Sequence, residues 1–174
     1  IPSEEIYEEG IYVGYRFFDT FNVDVSYPFG FGLSYTTFEY SNLNLVQDGD
    51  DITLSCLVKN NGNSDGKEVV QLYVKSALGT IEKPEKELKG FAKTELLKPG
   101  ETETVIIKTN VNDLGYYDTN SHAWKLDAGL YNFMIGSSSN DMKLNKNIAL
   151  DSRIIKITES LLSPEVKINE LSQN

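Results

Sequence analysis

The feature that most constrains this chain is a run of short apolar-alternating segments, each closed by turn residues, spaced about ten residues apart from Leu43 onward. LNLV leads into the QDGDD turn, and ITLSCLVK then puts Ile52, Leu54, Cys56 and Val58 on one side of a predicted strand. The loop NNGNSDG is dense in residues that tolerate left-handed backbone. It returns the chain into KEVVQLYVK, where Val70, Leu72 and Val74 alternate with Val69, Gln71 and Tyr73. KELKGFAKTELL follows, then the turn Lys98-Pro99-Gly100-Glu101, whose Pro and Gly suit a type II geometry because glycine supplies the positive φ. ETVIIKTN, NDLGYYD, AWKLD and GLYNFMIGSSS continue the series, and MKLNKNIAL adds an edge strand. Seven to nine such strands imply an all-β fold, an antiparallel sandwich of fibronectin type III or immunoglobulin-like character. With one cysteine, the antibody subtype and its disulfide are excluded. Trp124, with Leu126, Tyr131, Phe133 and Ile135, is expected to anchor the core.

Upstream of the strands the pattern changes. Twelve of the 19 aromatic residues lie between Tyr7 and Tyr40, in a stretch that Pro28, Gly30 and Gly32 punctuate and that keeps neither a helical nor a strand period. Such a segment needs a surface to lie on: the rest of the chain, a bound sugar, or another domain. Planar rings stack on the apolar faces of sugars and Arg16 could bond hydroxyl groups, yet twelve rings in one short stretch approach core density. That density favours an interface. At the other end, Ser163-Pro164-Glu165 reads as a helix start with Val166, Ile168 and Leu171 on one side, so the tail is a short helix or a linker. The expected division is a junction segment over 1–36, a sandwich over 37–150 and a tail over 151–174.

A net charge of -10, from 26 acidic and 16 basic residues, leaves no basic stripe for nucleic acid. No apolar run has the roughly 18 residues of a membrane span. Cys56 reads as a small buried core residue, compatible with cytosolic and secreted bacterial-type domains alike. The first residue is Ile1, with no signal-like segment after it, and the natural protein is expected to be longer.

Residue by residue, the chemistry candidates are weak. The single histidine, His122, cannot complete a triad or a two-histidine zinc site, and it falls in a polar hairpin. Glu4, Glu5, Glu8 and Glu9 form an acidic run that reads as solvated, and Asp113, Asp118 and Asp127 fall at strand ends without the spacing of a calcium loop. Gly30-Phe31-Gly32 follows a proline rather than a strand, so no cofactor loop is indicated. No catalytic residue, metal site or cofactor is assigned.

The run EGIYVGYRFFDT followed by YPFGFGLSYTTFEY resembles the junction leading into the last domain of glycoside hydrolase family 3, the family of many β-glucosidases and β-xylosidases. The later segments GKEVVQLYVK, KPEKELKGFAKTELLKPGETETV, DLGYYD and AWKLDAGLYNFMIGSSS are similar, in order, to the fibronectin type III-like domain of that family. The resemblance spans about Glu9 to Ser139. It implies a noncatalytic accessory module whose parent enzyme releases β-linked glucose by a retaining mechanism, with both catalytic carboxylates on a barrel and an α/β sandwich domain outside this chain. Those two domains would be its partners. Tyr12, Tyr15, Arg16, Phe17, Phe29, Phe31 and Tyr35 would make the interdomain contact, and self-association of an uncovered segment is a further expectation. The loop from Ala77 to Pro84, with Lys83 and Pro84, would reach the rim of the sugar site. The alternatives are a stand-alone carbohydrate-binding module and a cell-surface adhesion module.

Overall fold

The computed structural model describes residues 8–79 and 81–156 of the 174-residue chain. The anticipated tail helix around Ser163 and the acidic pair Glu4 and Glu5 lie outside the described residues.

Two antiparallel sheets face each other. Strands β1 (Phe38–Asp48), β2 (Asp51–Asn60) and β5 (Thr102–Asn110) form one, in the order β1-β2-β5. Strands β3 (Val69–Lys75), β4 (Glu87–Lys93), β8 (Gly129–Ser138) and β9 (Asp141–Leu150) form the other, in the order β4-β3-β8-β9. This is the antiparallel sandwich expected from the strand series, and β9 is the expected edge strand. A third, smaller sheet pairs β6 (Tyr116–Asp118), β7 (Ala123–Leu126) and β10 (Arg153–Lys156), with β7 central. The Arg153 guanidinium ties this sheet to the β1–β2 turn through two bonds to Asp50, each 2.6 Å.

The core follows from the alternation. Ile52, Leu54, Cys56 and Val58 of β2 meet Val105 and Ile107 of β5, and all are buried against Val70, Leu72 and Val74 of β3 and Tyr131, Phe133 and Ile135 of β8. The turn before β5 is the type II turn expected from its sequence: Gly100 has φ 85°, and the Glu101 N–H donates to the Lys98 carbonyl at 2.9 Å. His122 is exposed at the β6–β7 turn, as its polar surroundings suggest.

Trp124 does not anchor this core. Leu126, Tyr131, Phe133 and Ile135 are buried, but Trp124 is 48% exposed and packs on Tyr117, ring centroids 5.7 Å apart. β7 belongs to the third sheet rather than to either layer of the sandwich: its last residue, Leu126, reaches the core, while Trp124, two residues earlier, stays outside it on Tyr117.

The outer face of β3 is covered as well. Gln71 and Tyr73 are 5% and 0% exposed, although their parity turns them away from the sandwich core. What covers them is the aromatic segment, which lies on this face and contains one short helix, α1 (Tyr15–Thr20).

Candidate functional site

The aromatic segment is fastened to the four-stranded sheet by polar side chains at intervals. Tyr15 of α1 meets Tyr73 edge-on with centroids 5.9 Å apart and stacks on Phe29 at 4.6 Å. Its hydroxyl accepts the Leu88 N–H at 2.7 Å, and the Thr20 hydroxyl accepts the Glu85 N–H at 2.9 Å. Leu88 sits near the start of β4, the edge strand, and Glu85 just before it, so the segment satisfies backbone groups that the ladder leaves open. The Asp19 side chain, 4% exposed, pairs with the Lys86 ammonium at 3.1 Å and accepts from Ser139 Oγ at 3.4 Å. Arg16 reaches Glu87 at 3.5 Å.

Gln71 holds the second half of the segment. Its amide nitrogen donates to the Gly30 carbonyl (3.1 Å) and the Ser137 carbonyl (2.6 Å), and its oxygen accepts from the Tyr73 hydroxyl (2.7 Å). Gly30 has φ 80°, and a Cβ there would fall 2.1 Å from Gln71 Oε1, so both the turn and the close approach require glycine. The Ser139 N–H adds a bond to the Phe29 carbonyl at 2.8 Å. Burial drives the Tyr73 phenol far above its usual range, with the Tyr15 and Asp19 neighbourhood adding to it.

The residues named from the sequence for an interdomain contact divide into two groups. Tyr12 is 3% exposed, with its hydroxyl 3.4 Å from Glu82 and its ring edge-on to Phe21 at 5.1 Å. Tyr15, Arg16 and Phe17 are half-buried, the first two against the sheet and Phe17 against Phe18 and Phe21. Phe29 and Phe31 are each 47% exposed, and Tyr35 is 98% exposed. With Val23, Tyr27 and Leu33 these three make an apolar strip along the outside of the segment.

The loop proposed as a rim is held shut. Lys83 Nζ donates to the Ala77 carbonyl at 2.9 Å and to Asp127 Oδ2 at 2.5 Å, and it lies 5.0 Å over the Tyr116 ring. Pro84 is buried. Leu78 of this loop is 95% exposed.

Sequence reasoning missed Gln71, Asp19, Thr20 and Lys86. Gln71 left a signal, since it is the one polar residue in VVQLYV; the others depend on a docking that no local pattern encodes. Among the described residues no group of three His, Cys, Asp or Glu side chains is placed to hold a metal ion.

The comparisons with known proteins place this architecture. Residues 68–139 match the fibronectin type III-like domain. Thermostable β-glucosidase B of Acetivibrio thermocellus is 43% identical over 152 residues, which is 85% of this chain and 20% of that protein. Among solved structures, β-glucosidase 3B of Thermotoga neapolitana in complex with glucose superimposes with a TM-score of 0.82 at 47% identity, over 87% of this chain and 21% of its own. A glycoside hydrolase family 3 β-glucosidase of Bifidobacterium adolescentis gives 0.78 at 33% identity, over 90% and 23%. The chain spans about a fifth of the length of the relatives it matches. It therefore carries a fibronectin type III-like domain and belongs, over most of its length, with the accessory region of glycoside hydrolase family 3 β-glucosidases.

Proposed function

We propose that this chain is the bracing module of a larger retaining β-glucosidase, holding the catalytic barrel and α/β sandwich domains through the outside of its aromatic segment. The observation that carries this reading is the split of the segment. One set of rings is committed to the module's own sheet, and a second group of apolar side chains, Tyr27, Phe29, Phe31, Leu33 and Tyr35, is left exposed on a backbone that Gln71 fastens at Gly30 and Ser139 at Phe29. A strip of this size costs solvation free energy in water and gains it back under a partner. Residues 1–36 would then serve both bodies, joined to the sandwich on one side and to the neighbouring domain on the other. Catalysis, and with it the choice of sugar and linkage, would lie in the parts of the enzyme outside this chain.

The test is a double substitution, Leu33→Ser with Tyr35→Ser, made in both the isolated chain and the full-length gene product. The isolated chain is expected to keep its unfolding midpoint, because both side chains are almost fully exposed. The full-length protein is expected to lose several degrees and part of its β-glucosidase activity. Equal midpoints for parent and variant in the full-length protein would sink the reading, as would turnover of an aryl β-glucoside by the isolated chain.

A further inference from the structure

A cleft adjoins this strip and shares Phe31 and Leu33 with it. It measures about 640 Å³ and lies between the loop 28–38 of the segment and the residues that begin β3 and join β8 to β9. That volume falls inside the range of small-molecule sites, about 300 to 1,000 Å³. The cleft is formed in advance of any ligand, because its two walls are bonded together by Ser139 to Phe29 and by Gln71 to both Gly30 and Ser137. At the base of the loop Thr36 Oγ1 donates to the wholly buried Asn60 Oδ1 at 2.5 Å.

The lining is chemically mixed. Phe31 and Phe38 supply apolar surface. Glu68 and Asp141 supply carboxylates, and Lys67 and Lys143 supply ammonium groups, so the two charge types balance. The carboxylates are positioned: the Tyr40 hydroxyl donates to Glu68 at 2.6 Å, while Asp141 accepts from Ser137 Oγ at 2.6 Å and pairs with Lys143 at 2.7 Å. Burial is the largest influence on Glu68 and raises its carboxyl above the usual range, against the Tyr40 bond and the Lys143 charge, which lower it. A lining with no net charge gives no advantage to an anion or a cation. Fixed acceptors and donors beside aromatic surface suit a ring that carries hydroxyl groups on its edge and C–H groups on its faces.

We propose that this cleft is a noncatalytic binding site for a neutral pyranose, whose ring faces Phe31 and Phe38 and whose hydroxyl groups bond Glu68, Asp141 and Lys143. Docking of another domain on the exposed strip is not required for it, and the isolated chain suffices for the test.

The experiment is a 1H–15N NMR titration of the full 174-residue chain with glucose and with cellobiose, and with glycerol as the control polyol. Saturable shifts in the millimolar range are expected for the amides of residues 30–38 and 137–143. Asp141→Asn, at the exposed first residue of β9, is expected to weaken binding about tenfold, and Phe31→Ala to weaken it by a similar factor. Both variants must retain the parent spectrum outside the cleft, which keeps a folding defect from passing as a binding defect. Absence of saturable shifts, shifts mapping elsewhere, equal shifts with glycerol, or full binding by both variants would each overturn the proposal. Loss of the domain-docking effect of Leu33 and Tyr35, by contrast, would leave it standing.

Discussion

The Tyr15 hydroxyl accepts the backbone N–H of Leu88 at 2.7 Å, across 73 residues of sequence, and this bond marks where the aromatic segment closes the free edge of the four-stranded sheet. Tyr15 acts through two parts. The ring covers Tyr73 and supports Phe29, and the hydroxyl satisfies an edge donor. Tyr15→Phe is expected to destabilise the chain by about 1 kcal/mol and Tyr15→Ala by about 3 kcal/mol, measured by urea unfolding. Equal losses for the two variants would show that the ring contributes nothing beyond the hydrogen bond.

Gln71 is the corresponding fastener for the second half of the segment. Its amide makes three bonds while 5% exposed, so Gln71→Leu leaves the Gly30 and Ser137 carbonyls and the Tyr73 hydroxyl without this partner. We expect a loss of about 2 to 3 kcal/mol, together with faster amide exchange at Phe31 and Ser139. Unchanged exchange at those two amides would mean that the segment is held by its rings alone.

How much of this was legible in the sequence follows from the range of the contacts. The face Ile52, Leu54, Cys56 and Val58 and the turn Lys98 to Glu101 are set by neighbours a few residues apart, and both stand in the structure as read. The burial of Gln71 and Tyr73 arises from a segment more than 40 residues away; a lone polar residue among apolar neighbours marks Gln71, but nothing in the strand encodes what covers it. Trp124 misleads for a related reason: aromatic size argues for the core, but the strand that carries it pairs into a third sheet. The cleft beside Phe31 assembles residues from three parts of the chain, 28–40, 67–69 and 137–143, so no spacing rule could have gathered Glu68 with Asp141.

Lys83 closes the loop before β4 by joining Ala77 to Asp127, with side-chain exposures of 14% and 19% for the ion pair. Lys83→Met keeps the aliphatic stem and removes the charge, leaving Asp127 without this partner in a half-buried site. A loss of about 2 kcal/mol is expected. Limited proteolysis should also cut near Leu78 at lower protease concentrations than in the parent. A variant as resistant as the parent would show that the loop is held by its buried Pro84 and Ala77 instead.

Cys56 sits at 3% exposure between the sheets, and burial pushes its thiol up to about 11. The thiolate is the reactive form, so the folded chain at pH 8 should resist iodoacetamide over hours, and the same chain in urea should be alkylated within minutes. Comparable rates in the two states would place the thiol at a surface.

Acid should loosen the third sheet first. The Asp118 carboxylate accepts from Lys125 and from Ser121 Oγ at 2.7 Å, and from the Asn120 N–H at 3.1 Å. The Lys125 bond, then the Ser121 bond, hold its pKa down to about 2. A carboxyl whose folded value lies below its unfolded value, about 3.9, contributes stability that is fully present above the unfolded value. That contribution fades as pH falls from about 4 toward 2. Trp124 lies on the same hairpin and reports on it through its fluorescence. Its emission is therefore expected to shift in this window, before the sandwich unfolds. In Asp118→Asn the shift should be absent, and the hairpin should be as loose at neutral pH as the parent's is in acid. An unchanged acid response in that variant would assign the transition to other carboxylates, Asp50 with Arg153 foremost.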